Sequence, residues 1–454
     1  MEFLDGALPG LMFLALIVGL FSGAPVAIML MGVSLVFGIV AVLIGEMRIV
    51  QATLIPNRIF GGTIENPVLV AAPMFVFMGL VMERTRIAED LLLTLQRILR
   101  VVPGGLGLAV VLMGTILAAA TGIIGASVVM LTVLALPTMV ARGYMPSLAA
   151  GTVASAGTLG ILIPPSIMLV FMGDLLSVSI GRLFIAALVP GLLLSAFYVL
   201  FIMTYATVKP SAAPKMPPLA QEERVGLWKE TLVALIVPLA LIVIVLGSIL
   251  GGFATPTEAA GVGAAGALLL GALRGRLNWR TMTQAADQSV RTMAMLFFIF
   301  VGATAFSYIF RIVGGEHFII DAFQTLGLGD WGLLVAMMVL VFAMGFFFDW
   351  IEITLIALPI FAPIVGLLDL GDHVARQDLV YWFAILVAIN LQTSFLTPPF
   401  GFALFYLKGA AGKIISMGAV YRGIIPFVCL QLAVLGIAIA YPDVVLWLPR
   451  AVSQ

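Results

Sequence analysis

Long apolar stretches alternate with short charged or turn-forming segments along the whole chain. The polar segments lie near residues 46–65, 83–104, 142–146, 174–182, 208–230, 274–291, 311–330, 369–378 and 408–422. Most apolar stretches between them approach or exceed the roughly 20 residues that a membrane-spanning helix needs. The pattern therefore predicts an all-α, polytopic membrane protein with about ten or more membrane elements.

Two of these apolar stretches are interrupted by a pair of adjacent prolines. The interruptions are TLGILIPPS (158–166) and TSFLTPPFG (393–401), and each carries hydroxyl residues and glycine. A proline lacks a backbone N–H and its ring clashes with the preceding helical turn, so a regular helix does not continue through either pair. We predict two helices that are broken within the membrane, over 147–175 and 379–407.

Two other apolar stretches predict re-entrant hairpins, which enter and leave the membrane on one side. In GTILAAATGIIGASVVMLTVLALP, apolar arms flank the small, polar centre TGIIGAS, and basic residues lie beyond both ends. The stretch LLVAMMVLVFAMGFFFDWIEITLIALP carries Asp349 and Glu352 inside an apolar run and has acidic loops at its ends. We predict hairpins over 107–142 and 331–368.

The two halves of the chain resemble each other. TVLALP is similar to TLIALP, APVAIMLMG shares Pro, Ala and Gly with TPTEAAGVG, and the proline pairs recur in the same order at a similar separation. These matches predict an internal duplication, in which Ser127 corresponds to Asp349. The predicted units are a first repeat over 1–207, a cytoplasmic linker over 208–230 that is rich in Pro, Lys and Glu, and a second repeat over 231–454.

The basic residues predict the orientation of the chain. With the amino terminus outside and both hairpins re-entrant, most of the 22 Lys and Arg fall on the inner side, as the positive-inside rule expects. The outer side receives Arg48, Arg58, Arg182, Arg311, Arg376 and Arg450. The first repeat then begins outside and the second inside, so the two repeats have inverted topology.

An amphipathic segment, RIAEDLLLTLQRILRVV (86–102), has the helical spacing of an arm that lies in the membrane interface. It is either a simple connector or a brace for a moving domain. Its counterpart in the second half is LNWRTMTQAADQSVRT or EHFIIDAFQTLG. The sequence leaves both alternatives open.

Composition narrows the functional classes. Charged residues make up 10% of the 454 and hydrophobic residues 63%, whereas a soluble domain has roughly 25% charged residues. The single cysteine, Cys429, excludes an internal disulfide, and His317 and His373 lie in polar loops where a metal site is not expected. The chain has no nucleotide-binding fingerprint and no grouping of nucleophile and base. We expect no enzyme, and uphill transport must use an ion gradient or another subunit.

Interrupted helices and hairpin tips indicate a buried polar site. Irregular backbone is tolerated at membrane depth only where protein or a water-filled cavity satisfies it. Freed carbonyls and hydroxyls suit Na⁺, and the starts of half-helices suit an anion. A charge at the bilayer centre costs at least about 2.5–3.5 kcal/mol, so Asp349 and Glu352 are functional candidates unless they lie at a hairpin mouth. Glu258, three residues after Thr255, fits a structural capping box.

The order of these motifs resembles the large, DctM-like membrane subunit of the tripartite ATP-independent periplasmic (TRAP) transporters. The motifs are SGAPVAIMLMGV, the first hairpin, LGILIPPS, GFATPTEAAGVG, the second hairpin and SFLTPPFG, which together cover essentially the whole chain. The resemblance implies an elevator-type ion-transporter-like fold in the bacterial inner (cytoplasmic) membrane. It also implies Na⁺ as the coupling ion, an organic acid anion as substrate, and two partners: a small four-helix membrane subunit and a periplasmic solute-binding protein.

The same resemblance implies positions for the site. One cation site is expected at Gly125, Ala126, Ser127, Thr158 and Gly160. The other is expected at Gly345, Asp349, Thr393, Ser394 and Thr397. The half-helix ends that face the substrate are expected at Pro164, Pro165, Ser166, Pro398, Pro399 and Gly401. Since Ser127 is neutral where Asp349 is charged, the two cation sites should differ. No arginine is near either break in the sequence, so helix ends, hydroxyls and cations should hold the anion.

Two alternatives to this function remain. A stand-alone divalent anion/Na⁺ symporter would have a similar site and need no binding protein. A channel or an ion-translocating respiratory subunit would need a continuous line of ionisable groups within the membrane. The apolar runs offer only Asp349, Glu352 and Glu258 for such a line.

Overall fold

The computed structural model describes residues 7–121, 124–218, 227–325, 327–398 and 401–452, and within these ranges it is helical with no strand. The helices of the first half are α1 (Leu8–Phe21), α2 (Val26–Ile44), α3 (Ala71–Arg84), α4 (Ile87–Ile98), α5 (Gly105–Thr121), α6 (Ile124–Ala141), α7 (Pro146–Thr158), α8 (Ile167–Leu175) and α9 (Ile180–Val208). The helices of the second half are α10 (Leu227–Leu250), α11 (Pro256–Leu273), α12 (Trp279–Ile312), α13 (Gly315–Thr325), α14 (Asp330–Met344), α15 (Trp350–Leu367), α16 (Arg376–Ser394), α17 (Phe402–Ala411), α18 (Met417–Ala440) and α19 (Asp443–Val452). Short helical turns connect them at Ile49–Ala52, Ile55–Ile59, Phe60–Ile64, Pro67–Val70, Leu159–Ile161, Pro210–Ala212 and Gly371–His373.

Nine helices in the described part of the chain are long and apolar enough to cross a membrane. They are Val26–Ile44, Pro67–Arg84, Ile124–Ala141, Ile180–Val208, Thr231–Leu250, Pro256–Leu273, Trp279–Ile312, Trp350–Leu367 and Met417–Ala440. Large apolar side chains such as Leu35, Leu43 and Val243 are exposed on these helices, as expected where lipid replaces water. The prediction of an all-α polytopic membrane protein is confirmed.

The two helix pairs predicted as hairpins are α5 with α6 and α14 with α15, and each pair packs together. The two interrupted helices are α7 with α8 and α16 with α17. All these elements begin and end within a few residues of the predicted bounds. The first interruption contains Pro164 and Pro165 and the second contains Pro398, and a proline lacks the backbone N–H that a continuing helix needs.

The helices of the two halves pack in matching pairs. α2 packs on α12, and correspondingly α11 packs on α3. α6 packs on α17, and correspondingly α15 packs on α8. α7 packs on α18, and correspondingly α16 packs on α9. Reciprocal contacts of this kind are expected when two similar halves are related by a pseudo-two-fold axis.

The segment between the halves begins as part of the first half. Helix α9 ends at Val208, and the following turn is held by a bond from the Met145 N–H to the Ala212 carbonyl, 2.8 Å long. The Met216 N–H also donates to the carbonyl of Arg100, at 3.1 Å. Residues 219–226 of the predicted linker lie outside the described part, and 227–230 already belong to α10.

The amphipathic arm forms α4, and its apolar face is buried against α5 and α10. Its carboxylate Asp90 accepts hydrogen bonds from Arg274 at 2.8 Å and Arg276 at 2.7 Å. In the second half, Trp279–Ile312 is one continuous helix, whereas Gly315–Thr325 is a separate short helix before the second hairpin. Of the two segments proposed as the counterpart of the arm, EHFIIDAFQTLG therefore has the corresponding place.

We predict that Asp90→Asn lowers the thermal unfolding midpoint of the purified protein. Asn offers no charge to the two guanidinium groups, and the Arg274 side chain is only 16% exposed. The loss should correspond to about 1–2 kcal/mol, because charge-assisted bonds are strong but this pair is partly solvated. The matched control is Asp287→Asn, which removes an exposed ion pair with Arg291 and should change the midpoint little. Equal midpoints for the two variants would show that Asp90 does not anchor the arm.

Candidate functional site

A cavity of about 610 Å³ lies where the two hairpins meet the two broken helices. We call it the tip cavity. One wall is formed near the starts of α6, α15 and α8 and on α17, by Gly125, Ala126, Asp349, Trp350, Ile167 and Tyr406. The opposite wall comes from the end of α3, the arm and α12, and includes Glu83, Arg86, Glu89, Gln288 and Thr292. The packing thus brings parts of both halves to one space.

The residues predicted for the first cation site lie on two elements in contact. Gly157 at the end of α7 packs so closely on α6 that a Cβ placed there would lie 2.9 Å from the Cα of Val128. Next to it, Thr158 is fully buried, donates its hydroxyl to the Ser155 carbonyl at 2.9 Å, and accepts from Gln392 Nε2 at 3.4 Å. The buried Ser127 is on the facing part of α6, and Gly160 lies in the 3₁₀ turn Leu159–Ile161. Gly125 and Ala126 instead line the tip cavity.

Two of the residues predicted for the second cation site, Gly345 and Ser394, are in direct contact. Gly345, directly after α14, packs against Ser394 at the end of α16 so closely that a Cβ on the glycine would overlap the serine hydroxyl. Three hydroxyls at this break donate to backbone carbonyls: Thr393 to Ile389 at 2.9 Å, Ser394 to Leu391 at 2.8 Å, and Thr397 to Thr393 at 2.8 Å. With their protons directed to carbonyls, the hydroxyl oxygens keep lone pairs that can face a cation. A set of hydroxyl and carbonyl oxygens at a broken helix fits Na⁺.

Asp349 lines the tip cavity and also has a structural role. It is the N-cap of α15, with Oδ1 accepting from the Trp350 N–H at 2.7 Å. Its own N–H donates to Glu352 Oε2 at 3.2 Å, which completes a capping box. Glu352 is therefore explained as a cap, and the spacing Asp-x-x-Glu in the sequence is the signal that sequence reasoning missed. The same motif was predicted for Thr255 and Glu258 and is confirmed there.

The residues predicted to face the substrate mainly shape the two breaks. Pro164, Pro165 and Ser166 are buried, and the Ser166 hydroxyl closes the turn by donating to the Ile161 carbonyl at 2.7 Å. The next residue, Ile167, is the one that lines the tip cavity. In the second break Pro398 is exposed, and Pro399 lies outside the described residues.

Gly401, the N-cap residue directly before α17, has a φ of +54°, a left-handed conformation that favours glycine. A Cβ there would lie 3.0 Å from the Phe395 carbonyl oxygen, so the close return of the chain also requires glycine. This turn directs α17 back along α6, where Tyr406 approaches Gly125.

An arginine reaches the tip cavity, contrary to the expectation from the sequence. Arg86 lines it from the start of the arm and forms an ion pair with Glu89 at 3.7 Å. Arg86 is far from both breaks along the chain, so only the packing of the arm shows that it lines the same cavity.

A second cavity, of about 470 Å³, lies farther along α12 and α15; we call it the Arg58 cavity. Its walls include Arg58, Asn66, Asp174, Phe300, Thr304, Ser307, Tyr308, Arg311, Leu355 and Pro359. Phe171 contacts Phe300 of this cavity and Trp350 of the tip cavity, with ring centroids 5.8 and 6.0 Å apart. These three rings form an aromatic layer between the two cavities.

Known proteins are similar to this chain in sequence or in fold. The sequence profile described as "Tripartite ATP-independent periplasmic transporter, DctM component" matches residues 13–444. The chain is 32% identical over 389 residues to the C4-dicarboxylate TRAP transporter large permease protein DctM of Pseudomonas aeruginosa, covering 86% of this chain and 87% of that protein. It is 29% identical over 432 residues to the sialic acid TRAP transporter large permease protein SiaM of Vibrio cholerae, covering 95% and 96%.

Among solved structures, the YdaH transporter of Alcanivorax borkumensis has a similar fold, with a TM-score of 0.59 over 88% of each chain and 15% identity. That structure was described as having an unusual topology. At this identity the similarity concerns the fold alone.

Proposed function

Because the chain belongs to the family of DctM components of tripartite ATP-independent periplasmic transporters, we propose that it is the permease of a Na⁺-coupled system that imports an organic acid anion. Members of this family are large permease subunits, which are transport proteins and not enzymes. The chain is accordingly a multi-pass protein of the inner membrane.

The main support for this function is the tip cavity. Both hairpins contribute to it through Gly125 and Asp349, and the helices that follow the two breaks, α8 and α17, contribute Ile167 and Tyr406. The starts of α8 and α17 follow the two breaks, and the N–H groups at a helix start favour an anion. C4-dicarboxylates and sialic acid, named for the two relatives, both carry carboxylates. An organic acid anion in the tip cavity is consistent with all three features.

Na⁺ coupling is proposed from the contacts between tips and breaks. In the second half, Gly345 lies against Ser394, and hydroxyls and carbonyls of the break surround the contact. A cation held by these oxygens would fix hairpin and broken helix together, and Asp349 would add negative charge nearby. The first half has the neutral Ser127 at the corresponding place. In this proposal the bound cation stabilises the conformation in which the starts of α8 and α17 can bind the anion. Cation binding and anion binding then favour each other, and this is the physical basis of coupling.

An elevator mechanism is proposed from the arrangement of the two cavities. Both lie on the same two helices, α12 and α15, at successive levels. The reciprocal packing of α2, α3, α11 and α12 would form a scaffold, and the hairpins and broken helices would form the moving unit. In this proposal the repeats 1–207 and 231–454 have inverted topology, joined by the linker 208–230.

We propose two protein partners for this chain. The relatives are named as large permeases of TRAP transporters, which implies a smaller membrane subunit and a periplasmic solute-binding protein. We propose that this chain works with both. The binding protein would deliver the anion and contribute to its selection.

Uptake into proteoliposomes tests this function. We expect labelled C4-dicarboxylate or sialic acid to enter when the chain is combined with its small subunit and binding protein under an imposed Na⁺ gradient. A K⁺ gradient of equal size is the control and should give at least about tenfold lower initial rates, equivalent to about 1.4 kcal/mol. Robust uptake by this chain alone would favour the stand-alone symporter, and uptake indifferent to Na⁺ would refute the coupling.

A further inference from the structure

The Arg58 cavity contains a cationic group whose charge is not neutralised by a protein partner. Within the described ranges no carboxylate forms an ion pair with Arg58, whose guanidinium lies 5.8 Å from the centre of the Tyr308 ring. The other arginine of the cavity, Arg311, is paired with Glu316 at 3.0 Å. The cavity's carboxylate, Asp174, accepts from Asn66 Nδ2 at 2.7 Å. Arg58 is thus the cation that is available to a ligand.

A hydroxyl on the opposing helix also lacks a partner. Ser307 Oγ is buried and has no hydrogen bond to any residue that the structure describes. The neighbouring Tyr308 hydroxyl already donates to the Gln51 carbonyl at 3.0 Å. A buried hydroxyl without a partner costs free energy, which a ligand oxygen would recover. Arg58 and Ser307 both line this cavity, so an anion held there would have two potential donors.

Helix α12 contributes to both cavities. Gln288 and Thr292, near its start, line the tip cavity, and Thr304 and Ser307, farther along the helix, line the Arg58 cavity. The aromatic layer, with Phe300 at its edge, lies between them. The positive-inside distribution assigns Arg58 and Arg311 to the outer side, so the Arg58 cavity would be the first that a substrate meets.

We propose that the Arg58 cavity is a capture site for the carboxylate of an organic anion before the anion reaches the hairpin tips. Its volume of about 470 Å³ is within the range of about 300–1,000 Å³ for small-molecule sites. The planar guanidinium of Arg58 matches a carboxylate through two parallel hydrogen bonds, and Ser307 donates a third. This inference rests on the proposed function for its substrate and its direction.

Charged thiol reagents test the capture site without any transport. In the full chain with Cys429→Ser, which removes the only cysteine of the sequence, Ser307→Cys places one thiol in the cavity. We expect it to react faster with 2-sulfonatoethyl methanethiosulfonate, an organic anion, than with the cationic trimethylammonioethyl reagent, after correction for their rates with a free thiol. Arg58→Gln should lower this anion preference by about fivefold or more, because it removes a nearby positive charge.

The matched control is Arg48→Gln, which removes the same charge from the same outer segment but not from the cavity wall. It should leave the preference within about twofold, since an exposed charge at a distance is screened. An unchanged preference in Arg58→Gln, or no reaction of Ser307→Cys with either reagent, would overturn the capture site. Both outcomes are independent of whether the protein couples transport to Na⁺.

Uptake kinetics supply the second measurement. Arg58→Gln should raise the anion concentration for half-maximal uptake by about tenfold, with little change in the maximal rate, because the residue acts before the transported site is formed. Arg58→Lys keeps the charge but not the planar fork and should give a smaller increase. Wild-type concentration dependence in Arg58→Gln would contradict a role in capture.

Discussion

Replacing Asp349 by Asn is expected to lower the initial rate of Na⁺-dependent uptake by at least about 100-fold. This is equivalent to an increase of about 2.7 kcal/mol in the activation free energy of transport. Asp349 lines the tip cavity together with Gly125 and Ala126, where it would add the negative charge that the proposed cation requires. Asn is as good an N-cap as Asp, so α15 should still begin at Trp350. The variant thus separates the charge from the capping role, and the initial uptake rate measures the difference.

Three further variants test whether the effect is specific to the Asp349 charge and to the second cation site. Asp369→Asn changes an exposed carboxylate just after the same hairpin, which is paired with Arg376, and the variant should transport as the wild type does. Glu352→Gln keeps the capping box and should have a small effect. Thr397→Val removes a hydroxyl of the second break and should abolish uptake while the protein remains folded. Wild-type uptake in both Asp349→Asn and Thr397→Val would mean that the second cation site lies elsewhere.

Adding a methyl group at Gly345 is expected to separate the second hairpin from the second break. Gly345 has a φ of −64°, which alanine adopts without strain, so the effect of Gly345→Ala is purely steric. The new Cβ would overlap the Ser394 hydroxyl. Overpacking of this kind costs about 1–3 kcal/mol, and displacement of the break should also lower uptake at least about tenfold. The measurements are the thermal unfolding midpoint and the initial uptake rate.

The chain offers a matched control and a rescue for this change. Gly366→Ala adds the same methyl group to α15, where no heavy atom other than those of its own helical turn lies within 4 Å, and it should alter neither quantity. In the double variant Gly345→Ala with Ser394→Gly, removal of the serine side chain should restore the unfolding midpoint. If the single variant Gly345→Ala behaves like Gly366→Ala, the close contact between tip and break does not exist in the protein.

The local features of the fold could be predicted because they depend on neighbours along the chain. Apolar runs predict the spanning helices, the proline pairs predict the breaks, and the spacing of Thr255 and Glu258 predicts their capping box. Asp349 and Glu352 have the same spacing and form the same box, although their place in an apolar run also makes them functional candidates. A local signal can therefore have a structural and a functional meaning at one position.

The walls of the site could not be predicted because they come from distant segments. Gln288 and Thr292 are ordinary polar residues of a long helix, and only packing brings them opposite Asp349. Arg86 reaches the tip cavity through the arm, whose position depends on Asp90 and two arginines of the second half. The proline pairs set the turns, but Ile167 and Tyr406 follow them into the cavity. Sequence patterns specify elements; the spaces between elements depend on tertiary contacts.

Labelled Na⁺ and labelled organic anion can be followed as they enter the same proteoliposomes, with the small subunit and binding protein present. We expect the two fluxes to keep a fixed ratio as the anion concentration is varied, and both to be lost together in Asp349→Asn. Anion uptake that continues without accompanying Na⁺ uptake would show that cation sites between hairpin tips and helix breaks do not drive the import.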